Sequence, residues 1–182
     1  ELAALQVRNL ATLAGNIKNA SPIADGVVLL MAYEAKLSIL GISGYKEIPI
    51  SELYIGYKKT ILEEGDIIEK IIISKEALSK EYHMEKTGKR NSVDIACVNS
   101  CASYKKENNI ISDLSIAFGG ISEKVVLEKI GKIESEYDIE ICARDISLKY
   151  NPLSDVRGSK DYRVKLIKNH VIKHYAFITG EL

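Results

Sequence analysis

The chain has 182 residues, with 25 basic and 25 acidic side chains, a hydrophobic fraction of 46% and a charged fraction of 27%. This composition excludes intrinsic disorder, collagen-like repeats and a coiled coil, and it is typical of a globular protein with one or two domains. Because the formal net charge is zero, the sequence indicates no field that would gather nucleic acid or an anionic membrane.

Two further features of the sequence bear on where the protein works. The longest apolar run, residues 27–33, is far shorter than the ~20 residues that a membrane span needs. The three cysteines, Cys97, Cys101 and Cys142, are an odd number at spacings that form no disulfide framework. We therefore predict a cytoplasmic protein.

The first part of the chain has the pattern of a small α+β unit. Residues 1–9 carry no helix start signal and lead into a loop, ALQVRNLATLAGN, which we interpret as a chain that begins inside a larger unit. Ser21 and Pro22 favour a helix start, since Ser caps free N–H groups and Pro fits the first turn. The predicted elements are a helix over 22–35, a hairpin of strands 36–40 and 45–50, a helical turn over 51–57, and the strand IIEKIIIS after Gly65-Asp66.

A polar stretch at residues 74–80 marks the predicted domain boundary. The second unit reads as a sheet covered by helices, which predicts a two-layer α+β domain. Its predicted elements are a strand over 81–87, a helix over 93–107, a strand over 110–118, a turn at Gly119-Gly120, a strand over 124–130, and helices over 138–150 and 159–177.

The last helix places its apolar residues and two histidines on one face. His170 and His174 stand four residues apart, which is the spacing of metal ligands on a helix. No Glu lies between them and no third ligand is evident, so histidines packed against the sheet are the alternative. The residues predicted to share this face are Tyr162, Leu166, His170, Val171 and His174.

Cys97 and Cys101 stand four residues apart on the predicted helix 93–107. A thiolate pair at this spacing could bind zinc or react. Cysteine is also among the most buried residue types, and Ala96 and Val98 lie on the same apolar side, so two core cysteines are the alternative.

Three further segments carry candidate binding residues, each with a plainer structural alternative. Residues 12–16 are small enough for backbone N–H groups to approach a ligand, or they form a turn. The first of two charged clusters could bind an anion, or it could be a solvated loop. The second charged cluster could be a network of salt bridges on the surface. The first cluster is Lys86, Arg90 and Asp94, and the second is Asp155, Arg157 and Asp161.

Taken together, five motifs in this order resemble the FAD-binding medium subunit or domain of the molybdenum hydroxylases, a family that includes xanthine dehydrogenase and aerobic carbon monoxide dehydrogenase. The resemblance covers essentially the whole chain. The motifs are QVRNLATLAGNIKNASPIADG at 6–26, GYKKTILEEGDII at 56–68, KTGKRNSVDIACV at 86–98, the glycine pair of IAFGGIS, and DVRGSKDYRVKL at 155–166.

The resemblance implies an α+β fold in two parts. Residues 1–76 would form the second half, the C-terminal subdomain, of a PCMH-type FAD-binding domain. Residues 77–182 would form the C-terminal domain of the flavin subunit, a two-layer domain with a small antiparallel sheet packed on helices. The family's first subdomain, with its own glycine-rich diphosphate loop, would precede Glu1, so FAD would be bound jointly with a missing N-terminal subdomain.

The resemblance also implies the cofactor-binding residues. The family's flavin loop is similar to T-x-G-G-N followed nine residues later by Asp, and here this pattern covers residues 12–25 with Ala14 in place of the first glycine. Clustered backbone donors and polar side chains suit the diphosphate and hydroxyl groups of FAD. Arg90 and Asp94 resemble the family's interdomain pair. The implied FAD residues are Thr12, Leu13, Ala14, Gly15, Asn16, Ser21, Asp25, Ile68 and Lys86.

By the same resemblance, the chain is an electron-transfer oxidoreductase subunit without catalytic or metal-binding residues of its own. Molybdopterin would lie on a large partner subunit and two [2Fe–2S] clusters on a small one, and FAD would pass electrons to NAD. Two alternatives remain: a flavin subunit of the carbon monoxide dehydrogenase or hydroxybenzoyl-CoA reductase type, and a non-catalytic scaffold that has lost flavin binding through Ala14 and the missing N-terminal subdomain. A flavoprotein of the same cofactor class outside molybdenum chemistry is a weaker third.

Overall fold

The computed structural model describes residues 2–90, 93–107 and 110–181. Glu1, at which we expected the chain to begin inside a larger unit, lies outside the described residues, as do Asn91 and Ser92 of the third motif. Helices and antiparallel sheets alternate along the described chain, which confirms the predicted α+β class.

A three-stranded antiparallel sheet dominates the first part of the chain. Its order is β2-β1-β5, and Leu37 and Ile39 of the central strand are fully buried. The predicted hairpin and the strand after Asp66 are confirmed, and Gly44 turns the hairpin with a φ of +104°. The elements are α1 Leu5–Leu10, α2 Leu13–Lys18, α3 Asp25–Ala32, β1 Lys36–Gly41, β2 Gly44–Pro49, α4 Ile50–Leu53, β3 Tyr54–Gly56, β4 Lys59–Thr60 and β5 Ile67–Ile72.

Three predictions in this part need correction. The predicted opening loop forms the short helices α1 and α2, because Thr12 caps α2 by accepting a hydrogen bond from the Gly15 N–H at 2.9 Å. The helix predicted over 22–35 is shorter in the structure and consists of α3 alone, since Ala24, the N-cap of α3, has an extended backbone. The turn predicted over 51–57 is likewise limited to α4 before the chain becomes strand β3.

A four-stranded antiparallel sheet, in the order β6-β7-β8-β9, forms the centre of the second part. The predicted strands 81–87 and 110–118 and the last two helices are confirmed, and the strand predicted over 124–130 lies slightly later as β9. Ser135 and Asp138 form a capping box at α6, and Ser159 caps α7. The elements are α5 Lys75–Leu78, β6 Glu81–Thr87, β7 Val98–Glu107, β8 Ile110–Gly119, β9 Val126–Ile133, α6 Glu136–Lys149 and α7 Lys160–Thr179.

The prediction of a helix over 93–107 is wrong, because residues 98–107 form strand β7. This strand is buried on both faces: Cys101 packs with α3, whereas Ala102 and Tyr104 pack with α6 and α7. A strand buried on both faces shows no alternation of polar and apolar residues, so the signal that separates strand from helix is lost.

The four-stranded sheet thus carries helices on both faces. Helices α6 and α7 cover one face, as expected for the two-layer domain, and α3 from the first part of the chain covers the other. The start of α3 and the adjoining ends of β6 and β7 therefore meet at one edge of the sheet, where the candidate site lies.

Candidate functional site

An ion pair between Asp25 and Lys86 forms the centre of the site. Asp25 is the first residue of α3, and Lys86 stands near the end of β6. The Lys86 Nζ lies 2.7 Å from the Asp25 Oδ2, and the two side chains are 22% and 13% exposed. Asn99 of β7, the register partner of Lys86, donates from Nδ2 to the other carboxylate oxygen at 2.6 Å. Both oxygens of Asp25 are thus engaged by the sheet.

The segment that leads into Asp25 is fixed to the same sheet. Asn99 Nδ2 also donates to the Ile23 carbonyl at 3.2 Å, and the Gly120 N–H donates to the Pro22 carbonyl at 2.9 Å. Gly120 has a φ of +85°, and a Cβ there would collide with the Cys97 carbonyl. The glycine pair therefore permits a close approach that holds the start of α3 in place.

Arg163 of α7 is a buried cation behind this segment. It is 4% exposed, and its Nη1 donates to the carbonyls of Cys97 at 2.5 Å and Gly120 at 2.7 Å. Its Nη2 donates to Asp155 Oδ1 at 2.7 Å. The guanidinium thus joins α7, the start of β7 and the glycine turn at one point.

A cavity of about 970 Å³ opens beside these groups. This volume lies within the roughly 300–1,000 Å³ that is usual for small-molecule sites. Four predicted FAD residues line it, and the Oδ1 of one, Asn16, is buried without a hydrogen-bond partner among the described residues. An unpaired buried acceptor favours a hydroxyl or amide donor from a ligand. The four residues are Asn16, Ser21, Asp25 and Lys86.

The other predicted residues lie farther from the cavity lining. Residues 12–15 form the cap and first turn of α2, with Asn16 as their link to the cavity. Ile68 pairs with Ile39 in the three-stranded sheet and packs against the buried cluster of the first part. The structure therefore places Ile68 among core residues and does not bring it to the cavity.

Ala14 lies in the first turn of α2, outside the residues with positive φ. Ala in place of the family's glycine at this position therefore carries no cost of a positive φ. We expect Ala14→Gly to lower the free energy of unfolding by about 0.5 kcal/mol, because glycine loses more backbone entropy in a helix. Urea denaturation would measure this change, and a more stable variant would contradict it.

Two residues of the site escaped the sequence analysis. Asn99 fell within the predicted helix, and Arg163 lay in the fifth motif without an assigned role. The only sequence signal for Asn99 is a polar amide inside a run of small residues, Val98 to Ala102. Arg163 has a clearer signal, since it lies on the same helical stripe as Leu166 and His170.

The two charged clusters differ in their roles. Arg90 and Asp94 form a local pair at 3.1 Å that closes their own loop. The N–H groups of Arg90 and Lys89 donate to Asp94 and hold its pKa at about 2. Asp155 pairs with Arg157 at 3.4 Å and with the buried Arg163.

Two pairs of residues were predicted to lie on helices, one of cysteines and one of histidines. Only the histidine pair does so in the structure. Cys97 and Cys101 are not on a helix, and they belong to different buried clusters, so the thiolate pair is excluded. His170 and His174 do share one face of α7, and each is 1% exposed. Burial lowers the pKa of His170 to about 4 and that of His174 well below its ordinary value.

This burial predicts that acid destabilises the protein. The pKa of His170 falls from 6.5 to about 4 on folding, so the unfolded chain binds more protons. Its contribution is complete above pH 6.5 and is lost between about pH 6.5 and 4, by about 3 kcal/mol at the lower end. We expect His170→Gln to flatten this part of the pH profile in urea denaturation at pH 7.5, 5.5 and 4.5. A profile as steep as that of the wild type would contradict the assignment.

Searches for two other kinds of site gave negative results within the described part of the chain. In residues 2–90, 93–107 and 110–181, no group of three or more His, Cys, Asp or Glu is arranged to hold a metal ion. Over the same ranges, no helix has both the length and the apolar character that crossing a membrane requires.

Two protein families match consecutive parts of the chain. Residues 1–75 match the family described as the FAD binding domain in molybdopterin dehydrogenase. Residues 83–177, more than half of the chain, match the family described as the CO dehydrogenase flavoprotein C-terminal domain.

Individual relatives give the same result. The chain is 29% identical to the glyceraldehyde dehydrogenase medium chain of Sulfolobus acidocaldarius, over 94% of this chain and 62% of that one. It is 31% identical to a xanthine dehydrogenase of Blastobotrys adeninivorans, over 97% of this chain and 14% of that one. The chain therefore spans less than two thirds of the length of these relatives.

Solved structures share the fold. A carbon monoxide dehydrogenase of Hydrogenophaga pseudoflava lacking the Mo-pyranopterin moiety superposes with a TM-score of 0.87 at 25% identity, covering 95% of this chain and 62% of that one. Quinoline 2-oxidoreductase from Pseudomonas putida 86 superposes with a TM-score of 0.86 at 22% identity, over 99% and 64% of the two chains.

Proposed function

The chain belongs to the flavoprotein family of the molybdenum hydroxylases, and from this premise we propose that it binds FAD in the cavity beside Asp25 and Lys86 as part of an electron-transferring medium subunit. When bound there, FAD would supply the redox chemistry, taking electrons from iron–sulfur clusters and delivering them to NAD. The remaining task, to hold and orient the cofactor, belongs to the residues of this chain.

The observation that carries the proposal is the meeting of Asp25, Lys86 and Asn16 at one cavity, since they lie in three separate elements. Each carboxylate oxygen of Asp25 accepts one hydrogen bond from the protein and has a lone pair left for a hydroxyl donor. The unpaired Oδ1 of Asn16 offers a second acceptor. A polyol such as the ribityl chain of FAD matches this arrangement of acceptors.

Lys86 has a different task in this proposal. Its ammonium is 22% exposed beside the cavity, so its field reaches an anion bound there as well as the Asp25 carboxylate. We assign it to the diphosphate or to the negative charge of a reduced flavin. Thr12 and Gly15 act indirectly, because the hydrogen bond between them fixes the start of α2 and thereby the position of Asn16.

The partners and location are part of the same proposal. We assign molybdopterin to a large partner subunit and the [2Fe–2S] clusters to a small one, since the family descriptions name molybdopterin dehydrogenase and a CO dehydrogenase flavoprotein. A cytoplasmic location is supported by the three free cysteines, Cys97, Cys101 and Cys142.

Titration with FAD tests the proposal. We would follow flavin fluorescence with the chain alone and with the chain supplied with the N-terminal subdomain that the resemblance implies. Saturable binding in either form supports the proposal, and binding only in the joined form supports a divided site. Failure to bind in both forms would contradict it and favour the non-catalytic scaffold.

One observation supports a second candidate for the electron acceptor. The match over residues 83–177 is to the CO dehydrogenase flavoprotein family, and a CO dehydrogenase also superposes over 95% of the chain. A subunit of this type need not use NAD. Reoxidation of the reduced holoprotein by NAD, compared with a quinone, would separate the two candidates.

A further inference from the structure

Five polar side chains form a continuous row between α7 and the four-stranded sheet. Thr87 Oγ1 lies 2.9 Å from His170 Nε2, and His170 Nδ1 lies 2.7 Å from Ser100 Oγ. Ser100 Oγ lies 2.7 Å from His174 Nε2, and His174 Nδ1 lies 2.9 Å from His83 Nδ1. We call this row the histidine relay. Every ring nitrogen of His170 and His174 is occupied within it.

Both ends of the relay are half-buried, and a carboxylate lies beside the His83 end. Its interior is closed to solvent, since His170 and His174 are 1% exposed and Ser100 is fully buried. The side chain of His83 is 14% exposed at one end, and its Nε2 lies 3.7 Å from Glu85 Oε1. Glu85 in turn pairs with Lys173 at 3.3 Å. The Glu85 carboxylate therefore stands at the His83 end of the relay, where it can stabilise a positive charge on His83.

A neutral relay whose hydrogen bonds all run the same way has two possible directions, because each hydroxyl and each neutral imidazole can donate one proton along the row. The Glu85 carboxylate favours the proton of His83 on Nε2, which leaves Nδ1 as an acceptor. His174 must then donate from Nδ1 to His83, and Ser100 must donate to His174 Nε2. By the same logic His170 donates from Nδ1 to Ser100, and Thr87 donates to His170 Nε2.

We propose that the histidine relay is a proton-sensing switch, in which one proton enters at the half-buried Thr87 hydroxyl, each proton in the row moves one place towards His83, and every hydrogen bond in the row reverses as His83 becomes the cation. A doubly protonated His83 donates from Nδ1, so His174 must accept there and carry its own proton on Nε2. Ser100 then donates to His170 Nδ1, and His170 donates from Nε2 to Thr87. The positive charge stays beside Glu85, and the buried rings change tautomer without becoming charged.

The relay is placed where such a change reaches the Asp25 site. Thr87 directly follows Lys86 on β6, and Ser100 directly follows Asn99 on β7, so neighbouring residues point to opposite faces of the sheet. One face of this strand pair holds the relay, and the other holds Asp25. A shift of Thr87 or Ser100 therefore moves the backbone that positions the partners of Asp25.

The charged and titratable groups around His83 set the pH range. They are Glu85 on β6 and Lys173 and His174 on α7, while Ser100 of β7 is neutral and Phe177 stacks on the ring at 3.8 Å between centroids. Burial lowers the pKa of His83, Glu85 opposes this shift and Lys173 adds to it. The reversal is therefore expected below pH 6.5.

Nitrogen NMR of the ¹⁵N-histidine-labelled protein tests the proposal, because ring nitrogen shifts distinguish the two neutral tautomers and the cation. The sequence has three histidines, all in the relay, so single variants assign every signal. Between pH 8 and 5 we expect His83 to become a cation while His174 and His170 change from the Nδ1–H to the Nε2–H form at the same midpoint. In a ¹⁵N-asparagine-labelled sample, the side-chain amide signal of Asn99 is expected to shift with the same midpoint.

Two variants sharpen the test. In Ser100→Ala the row is interrupted, so His174 should still follow His83 while His170 keeps one tautomer at every pH. In Glu85→Gln, near the surface, the charge that sets the neutral direction is removed, so mixed tautomers are expected at pH 8. Unchanged tautomers of His170 and His174 during titration of wild-type His83 would overturn the switch. If the tautomers of His170 and His174 change while the Asn99 signal stays constant, the proposed link between the histidine relay and the Asp25 site is wrong.

Discussion

Replacing Lys86 by methionine is expected to abolish flavin retention and to lower the free energy of unfolding by about 2 kcal/mol. The change removes the ammonium at 2.7 Å and leaves the Asp25 carboxylate, 13% exposed, with Asn99 as its donor on the other oxygen. A partly buried carboxylate that loses its counterion is costly because water replaces the lost interaction incompletely. Urea denaturation and the flavin content after gel filtration measure the two effects.

A second substitution separates stability from binding. Adding Asp25→Asn to Lys86→Met removes the unpaired charge, so stability should return to within about 1 kcal/mol of the wild type. Flavin retention should remain lost, because the carboxylate charge, one of its two acceptor oxygens and the cation are gone. Lys36→Met is a suitable control, since the Lys36–Glu47 pair is 57% and 50% exposed and should contribute little. Wild-type flavin content in the double variant would contradict the assignment of both residues.

Replacing Arg163 by methionine is expected to have the largest effect on folding, about 3–5 kcal/mol. The variant leaves the carbonyls of Cys97 and Gly120 without their buried donor and Asp155 without its 2.7 Å partner. Arg163→Lys should recover part of this loss, because one ammonium cannot replace two donor nitrogens in a planar group.

Urea denaturation measures the effect of Arg163→Met, as the shift of the unfolding midpoint relative to the wild type when the slope of the transition is unchanged. Arg144→Met serves as the control, since the Arg144 side chain is 63% exposed and its pair with Asp145 is at 3.4 Å. A loss below 1 kcal/mol in Arg163→Met would show that the Cys97 and Gly120 carbonyls find other donors.

The parts of the fold that sequence reasoning recovered are those with local signals. Gly41 and Gly44 bound a turn between alternating strands, and Ser159 opens a long periodic helix, so both elements were predictable. Strand β7 lacked such a signal because both of its faces are buried. The error there had a direct consequence, since it hid Asn99, which anchors Asp25.

The candidate site was predictable in its residues and not in its contacts. Asp25 and Lys86 came from the resemblance, yet they are 61 residues apart, and no local pattern indicates their ion pair. Arg163 shares a helical stripe with Leu166 and His170, but a charged residue in a polar motif is typical of a surface position. Its burial depends on the carbonyls of Cys97 and Gly120, two chain segments that only the tertiary fold brings to it.

The position of α3 limits how this protein could be recombined with its relatives. Although the two family matches divide the chain near residue 80, α3 shares a hydrophobic cluster with Cys101, Ala117 and Val125 of the later segment. A chimera that exchanges the first segment alone would pair the new helix with a sheet surface shaped for another one. The two segments therefore have to be inherited, and engineered, as a matched pair.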